Sequence, residues 1–87
     1  MLAKMKDQLN YTIDLGGLIA PVAALQAVEK FREMKIGECL EIINCNHETM
    51  KMILRVFPKA AYQLLHKERM YRKSSLYQVK IRKTGHI

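Results

Sequence analysis

Cys45 and His47 are the two residues of this 87-residue chain whose types and spacing suit nucleophilic chemistry. A thiolate attacks electrophilic sulfur or carbon, and an imidazole two residues away assists it as a base or, when protonated, lowers its pKa. Read alone, Cys45 is also an ordinary half-buried hydrophobe, and Cys39, inside the same extended run, reads as a packing residue. The two thiols are not expected to pair: the ends of so short an extended segment stand farther apart than the roughly 7 Å between Cα atoms that a disulfide tolerates. Metal chemistry is not expected either. Cys45 and His47 supply two ligands where structural zinc takes four, and His66 and His86 have no Cys or carboxylate at ligand spacing. Gly16-Gly17 is a turn rather than a phosphate loop, so no cofactor is implied.

A second chemistry lies in the charge distribution. The formal net charge is +7. Residues 1–50 hold five Lys and Arg against seven Asp and Glu, whereas from Lys51 onward ten basic residues oppose Glu68 alone. The basic half, with Lys51, Arg55, Arg69, Arg72, Lys73, Lys80 and Arg82, suits an acidic protein face or the phosphates of tRNA or other RNA. A solvated surface that keeps the chain soluble is the plainer reading of the same residues.

These groups need a scaffold, and the length allows one modest core rather than two, so residues 1–87 read as a single domain with a core of about residues 10–83. With 49% apolar and 26% charged residues the chain lies far from the composition of disorder. No stretch approaches the roughly 20 apolar residues of a membrane span, and Met1 to Asn10 lack a signal core with a cleavage site, so a cytoplasmic location without a membrane partner is expected.

Asn10 to Asp14 is short and rich in β-branched and aromatic residues, a strand entering the Gly16-Gly17 turn. Pro21 opens a helix with Ala24, Leu25, Val28 and Phe31 as its apolar stripe and Gln26, Glu29, Lys30 and Glu33 facing away, ending before Gly37. Glu38 to Cys45 is a second strand, Leu40 and Ile42 on one face, Cys39, Glu41 and Ile43 on the other. Asn46 caps a second helix with the stripe Met50, Ile53, Leu54 and Phe57, stopped by Pro58. Met50, Met52 and Met70 read as core filling. Tyr62 to Glu68 and Ser75 to Lys83 are two further strands, with a hairpin turn in Met70 to Ser74. The order β-α-β-α-β-β predicts an α/β two-layer sandwich: a four-stranded mixed sheet with two helices on one face. A right-handed β-α-β unit makes the first two strands parallel, so Cys45 and the turn at Ala20 share one edge of the sheet, where ligands of open α/β sheets bind.

The segment Asp14-Leu15-Gly16-Gly17-Leu18-Ile19-Ala20-Pro21-Val22-Ala23 resembles the signature of the TusA/SirA sulfur-carrier family, Asp-x-x-Gly-x-x-Cys-Pro-x-Pro. Asp14, Gly17 and Pro21 stand in register, Ala20 replaces the cysteine and Ala23 the second proline. Met34 to Ile43 and Leu76 to Lys83 are similar to that family's second and last strands, so the resemblance covers about residues 11–83. It implies a carrier whose cysteine accepts a persulfide sulfur and hands it to a protein partner. A thiol there faces unpaired N–H groups and the positive end of the helix dipole, which stabilise a thiolate or perthiolate.

Ala20 holds no sulfur, and three readings remain open: a substitution made in a natural cysteine site, relocation of the chemistry to Cys45 with His47 assisting, or loss of sulfur chemistry with the fold kept as a partner-binding module. The drift at Ala23 favours the latter two. The resulting expectation is a sulfur-trafficking protein acting as a relay through Cys45 or as a non-transferring partner-binding variant. The alternative is an RNA-binding or regulatory module, since the fold also resembles that of the C-terminal domain of translation initiation factor 3. Against that alternative, Tyr62, Tyr71 and Tyr77 offer no evident stacking platform, Tyr77 alternating with core positions.

Overall fold

Two parallel strands joined by a helix set the geometry of the chain in a computed structural model, which describes residues 10–70 and 75–86. Strand β1 (Asn10–Asp14) pairs in parallel with β2 (Cys39–Asn46), Ile13 opposite Ile42. Between them runs α1 (Ala20–Glu33), with Pro21 in its first turn, where a missing N–H costs nothing. Its last turn carries Lys30 and Arg32, cations suited to the negative end of the helix dipole. The return to β2 uses Gly37 at φ +100°, a left-handed conformation that glycine adopts without steric cost.

Helix α2 (His47–Val56) follows β2 without a loop, because the Asn46 side chain accepts a hydrogen bond from the Thr49 N–H at 2.7 Å. Phe57 and Pro58 end it, and a single 3-10 turn (Lys59–Ala61) leads into β3 (Tyr62–Arg69). Strand β4 (Leu76–Lys83) inserts antiparallel between β2 and β3, for a sheet order β1-β2-β4-β3. The result is the expected two-layer α/β sandwich. The expected turn in 70–74 falls largely on residues 71–74, outside the described residues.

The core lies between helices and sheet. Ala23, Ala24, Ala27 and Phe31 of α1 and Met50, Ile53 and Phe57 close over Leu40, Ile42, Cys45, Val79 and Ile81. The Phe31 and Phe57 rings meet at 4.6 Å between centroids, joining the two helices. Leu25 corrects the sequence reading. It is 57% exposed, because the buried face of α1 runs through the alanines, whose small side chains let the helix sit close on the sheet.

Two bulges flank β4. From Ile42 to Cys45, three steps of β2 oppose two of β4, and Asn44 absorbs the extra residue at φ +57°. Asparagine tolerates that conformation better than most residues. The shift turns Cys45 onto the core face beside Leu40 and Ile42. In β3 the register slips between Leu64 and His66, which places Lys67 opposite Val79 and Arg69 opposite Tyr77, on the helix side of the sheet. His66 and Glu68 fall on the other face, with His66 Nε2 3.0 Å from Glu68 Oε1.

One basic residue is interior. Lys83 is 1% exposed, and its Nζ donates to the Phe31 and Met34 carbonyls, both at 2.7 Å, where α1 ends. It also lies 5.0 Å from the centre of the Phe31 ring.

Candidate functional site

The turn between β1 and α1 is built from backbone groups pinned by one carboxylate. Asp14 Oδ1 accepts the Gly16 N–H at 2.8 Å and the Asn44 Nδ2–H at 3.0 Å, so the bulge of β2 and the turn after β1 share one acceptor. The Asn44 amide, and after it the Gly16 N–H, hold the Asp14 carboxyl below its ordinary pKa. Leu15 N–H donates to the Ile43 carbonyl at 3.1 Å, and Gly17 turns the chain at φ +81°. Asp14, Gly17, Ala20 and Pro21 are thus held on one rigid turn at the C-terminal ends of the two parallel strands.

The helix start that follows is open. Ile19 occupies the cap position and supplies no side-chain hydrogen bond, and the first turn contains no acidic residue. Ala20, at the first helical position, is half-buried, while Ile19 is 68%, Val22 41% and Leu25 57% exposed. The helix start therefore presents unpaired backbone donors, with exposed apolar side chains beside it.

Cys45 lies at the same sheet edge, as the parallel pairing requires, but in the core. It is 1% exposed, its Sγ–H donates to the Asn46 carbonyl at 3.6 Å, and burial pushes the thiol up to about 11. The neighbouring His47 is exposed, its ring 5.8 Å from that of Tyr77. Cys39 is fully buried, on the sheet face away from the helices. Both thiols are free.

The basic residues named from sequence separate. Lys51 and Arg55 line the exposed face of α2, around a shallow depression of about 290 Å³ with His47, Glu48 and Met52. Arg69 lies on the helix side of β3, whereas Lys80 and Arg82 alternate onto the opposite face of the sheet. Arg72 and Lys73 are outside the described residues. Sequence reading missed Asn44, which pins the turn, and Lys67, which the β3 bulge carries beside Arg69. Asn44 left a signal, since an asparagine inside a strand run is a poor β-former and marks a bulge.

Among the described residues no three His, Cys, Asp or Glu side chains gather as metal ligands, and no helix is long and apolar enough to cross a membrane. Compared with known proteins, the chain matches no family model and no curated protein sequence.

Proposed function

We propose that this chain is a TusA/SirA-like protein of sulfur trafficking that binds a protein partner without transferring sulfur itself. The observation carrying this reading is the open, uncapped start of α1, where Ile19, Val22 and Leu25 expose apolar surface on the outer side of the first turns. Solvated helices rarely display three large aliphatic side chains on and beside one turn, and a patch next to unpaired N–H groups suits a partner that brings both an apolar contact and an acceptor. In a sulfur carrier the thiol at this position would sit at the helix start that such a contact covers. Here the contact surface remains and the methyl group of Ala20 takes the thiol's place. A relay through Cys45 is disfavoured by its burial and its raised pKa, both of which keep the nucleophilic thiolate scarce.

Restoring the thiol tests the reading. Ala20→Cys should yield a thiol with a pKa below the ordinary value near 8.5, and incubation with inorganic polysulfide should add sulfur to it in the intact mass. The unmodified chain should remain unchanged. Sulfur uptake by the unmodified chain that Cys45→Ala abolishes would overturn the proposal in favour of a relay. An Ala20→Cys thiol of ordinary pKa would remove the sulfur-carrier basis. A photo-crosslinker at Val22 should give an adduct with a sulfur-transfer protein, lost on Leu25→Lys.

A further inference from the structure

We infer that the ledge between α2 and β3 is a binding site for a single strand of nucleic acid. The inference is independent of the sulfur-carrier reading, which concerns the start of α1. The two helices stop short of β3: Tyr62, at its start, is tucked under α2 with its hydroxyl 3.5 Å from the Leu54 carbonyl, and beyond it the strand is exposed. Leu64 shows this well, being 43% exposed although it pairs with fully buried Ile81. The helix-side face of β3 is therefore an uncovered shelf, and α2 is its wall.

Cations occupy both. The β3 bulge places Lys67 and Arg69 on the shelf, each opposite a β4 residue that faces the helix layer. On the wall, His47, Lys51 and Leu54 follow one another at i, i+4 and i+7 spacing, with Lys51 and Arg55 toward the exposed face. The His47–Tyr77 contact turns the start of this row toward β4, and the Tyr62 hydroxyl at the Leu54 carbonyl sets the end of α2 beside the start of β3. Successive positions i and i+4 rise about 6 Å along the helix axis, a step suited to adjacent phosphates of an extended strand. Glu48 shares the depression on α2 with His47, Lys51 and Arg55, and as the acid of the first turn it favours the helix dipole. Glu68, the acid of β3, is on the opposite face, engaged with His66.

The floor distinguishes a nucleic acid from a merely acidic protein. Tyr77, opposite Arg69 and packed against the core, carries the exposed His47 ring at 5.8 Å and 45°, so an exposed flat ring lies next to cations. A cationic groove with a ring against which a base can stack is the arrangement that binds single strands with little sequence preference. The eight residues of β3 span roughly 27 Å, enough for a site of about four nucleotides or more. Lys80 and Arg82, on the other sheet face, take no part.

Fluorescence anisotropy with a labelled oligouridylate tests this on the full chain. Three phosphate contacts from Lys51, Lys67 and Arg69 should weaken binding about twentyfold between 50 and 200 mM salt. Lys67→Ala/Arg69→Ala, at exposed positions, should cost at least about tenfold and reduce the logarithmic salt slope by about 1.4. Tyr77→Leu should cost about fivefold or more with the salt slope unchanged, and His47→Ala, on an exposed side chain, reads the same ring pair if the first variant unfolds. Lys80→Ala/Arg82→Ala should change affinity less than about twofold. The inference is overturned if binding is absent or insensitive to salt, if Lys80→Ala/Arg82→Ala costs as much as the ledge variant, or if polyglutamate binds the ledge as tightly as the oligouridylate. The last result would make the shelf a dock for an acidic protein.

Discussion

The two helices begin at the same edge of the sheet and are anchored at opposite ends. Helix α2 is satisfied at its start, where Asn46 caps Thr49 and Glu48 meets the dipole, and His47 folds onto Tyr77. Helix α1 starts without a cap or an acid, and its fixed point is the far end, where Lys83 reaches through the core to the Phe31 and Met34 carbonyls. A helix held from behind can leave its first turn open to a partner. One capped at its first turn has fewer donors to offer there, and the Asn44 bulge sends Cys45 beside it into the packing.

Breaking the rear anchor should have the largest effect. Lys83→Met keeps the volume but takes the ammonium donor from the Met34 carbonyl and from the Phe31 carbonyl, which retains only the Met34 N–H, and should lower unfolding free energy by about 2–4 kcal/mol in urea titrations. A loss below about 0.5 kcal/mol would show that α1 does not depend on this contact.

The core placement of Cys45 predicts an alkaline loss of stability. The folded thiol keeps its proton up to about pH 11, whereas the unfolded one releases it near 9, so unfolding is favoured as pH rises between these values. The stability gap between the unmodified chain and Cys45→Ala should narrow by about 2 kcal/mol at most across that window. A constant gap would place the thiol in solvent.

The smallest effects should have opposite signs at the two helix starts. Asn46→Ala should destabilise by about 1 kcal/mol, while Ile19→Asp should stabilise by about 0.5 kcal/mol by giving α1 the cap and the charge it lacks. The same Ile19→Asp change should weaken partner binding, separating stability from function. Thermal melts of the two variants check the signs.

Much of this architecture was legible in the residues. Pro21 and Pro58 bounded helices, Asn46 announced its cap, and the stripe Met50, Ile53, Phe57 identified the buried face of α2, because each of these acts within one or two turns of chain. The stripe on α1 was misread at Leu25, since hydrophobicity alone ranks leucine above alanine while close packing on a sheet selects the smaller side chain. Of the candidate site, the turn Asp14 to Pro21 was visible; its pin, Asn44, was not, since that hydrogen bond joins residues 30 apart.

By itself, then, the amino-acid sequence determined the element order, the two-layer class, the turn that presents Ala20 and the basic excess of the second half. Only the tertiary structure decided which face each side chain occupies. Each bulge inverts the period-two alternation beyond it, sending Cys45 into the core and Lys67 and Arg69 onto the ledge. Lys83 shows the same limit from another side. A lysine at the end of a strand reads as solvated until the open carbonyls of a helix end, 49 and 52 residues away, give its charge an interior place.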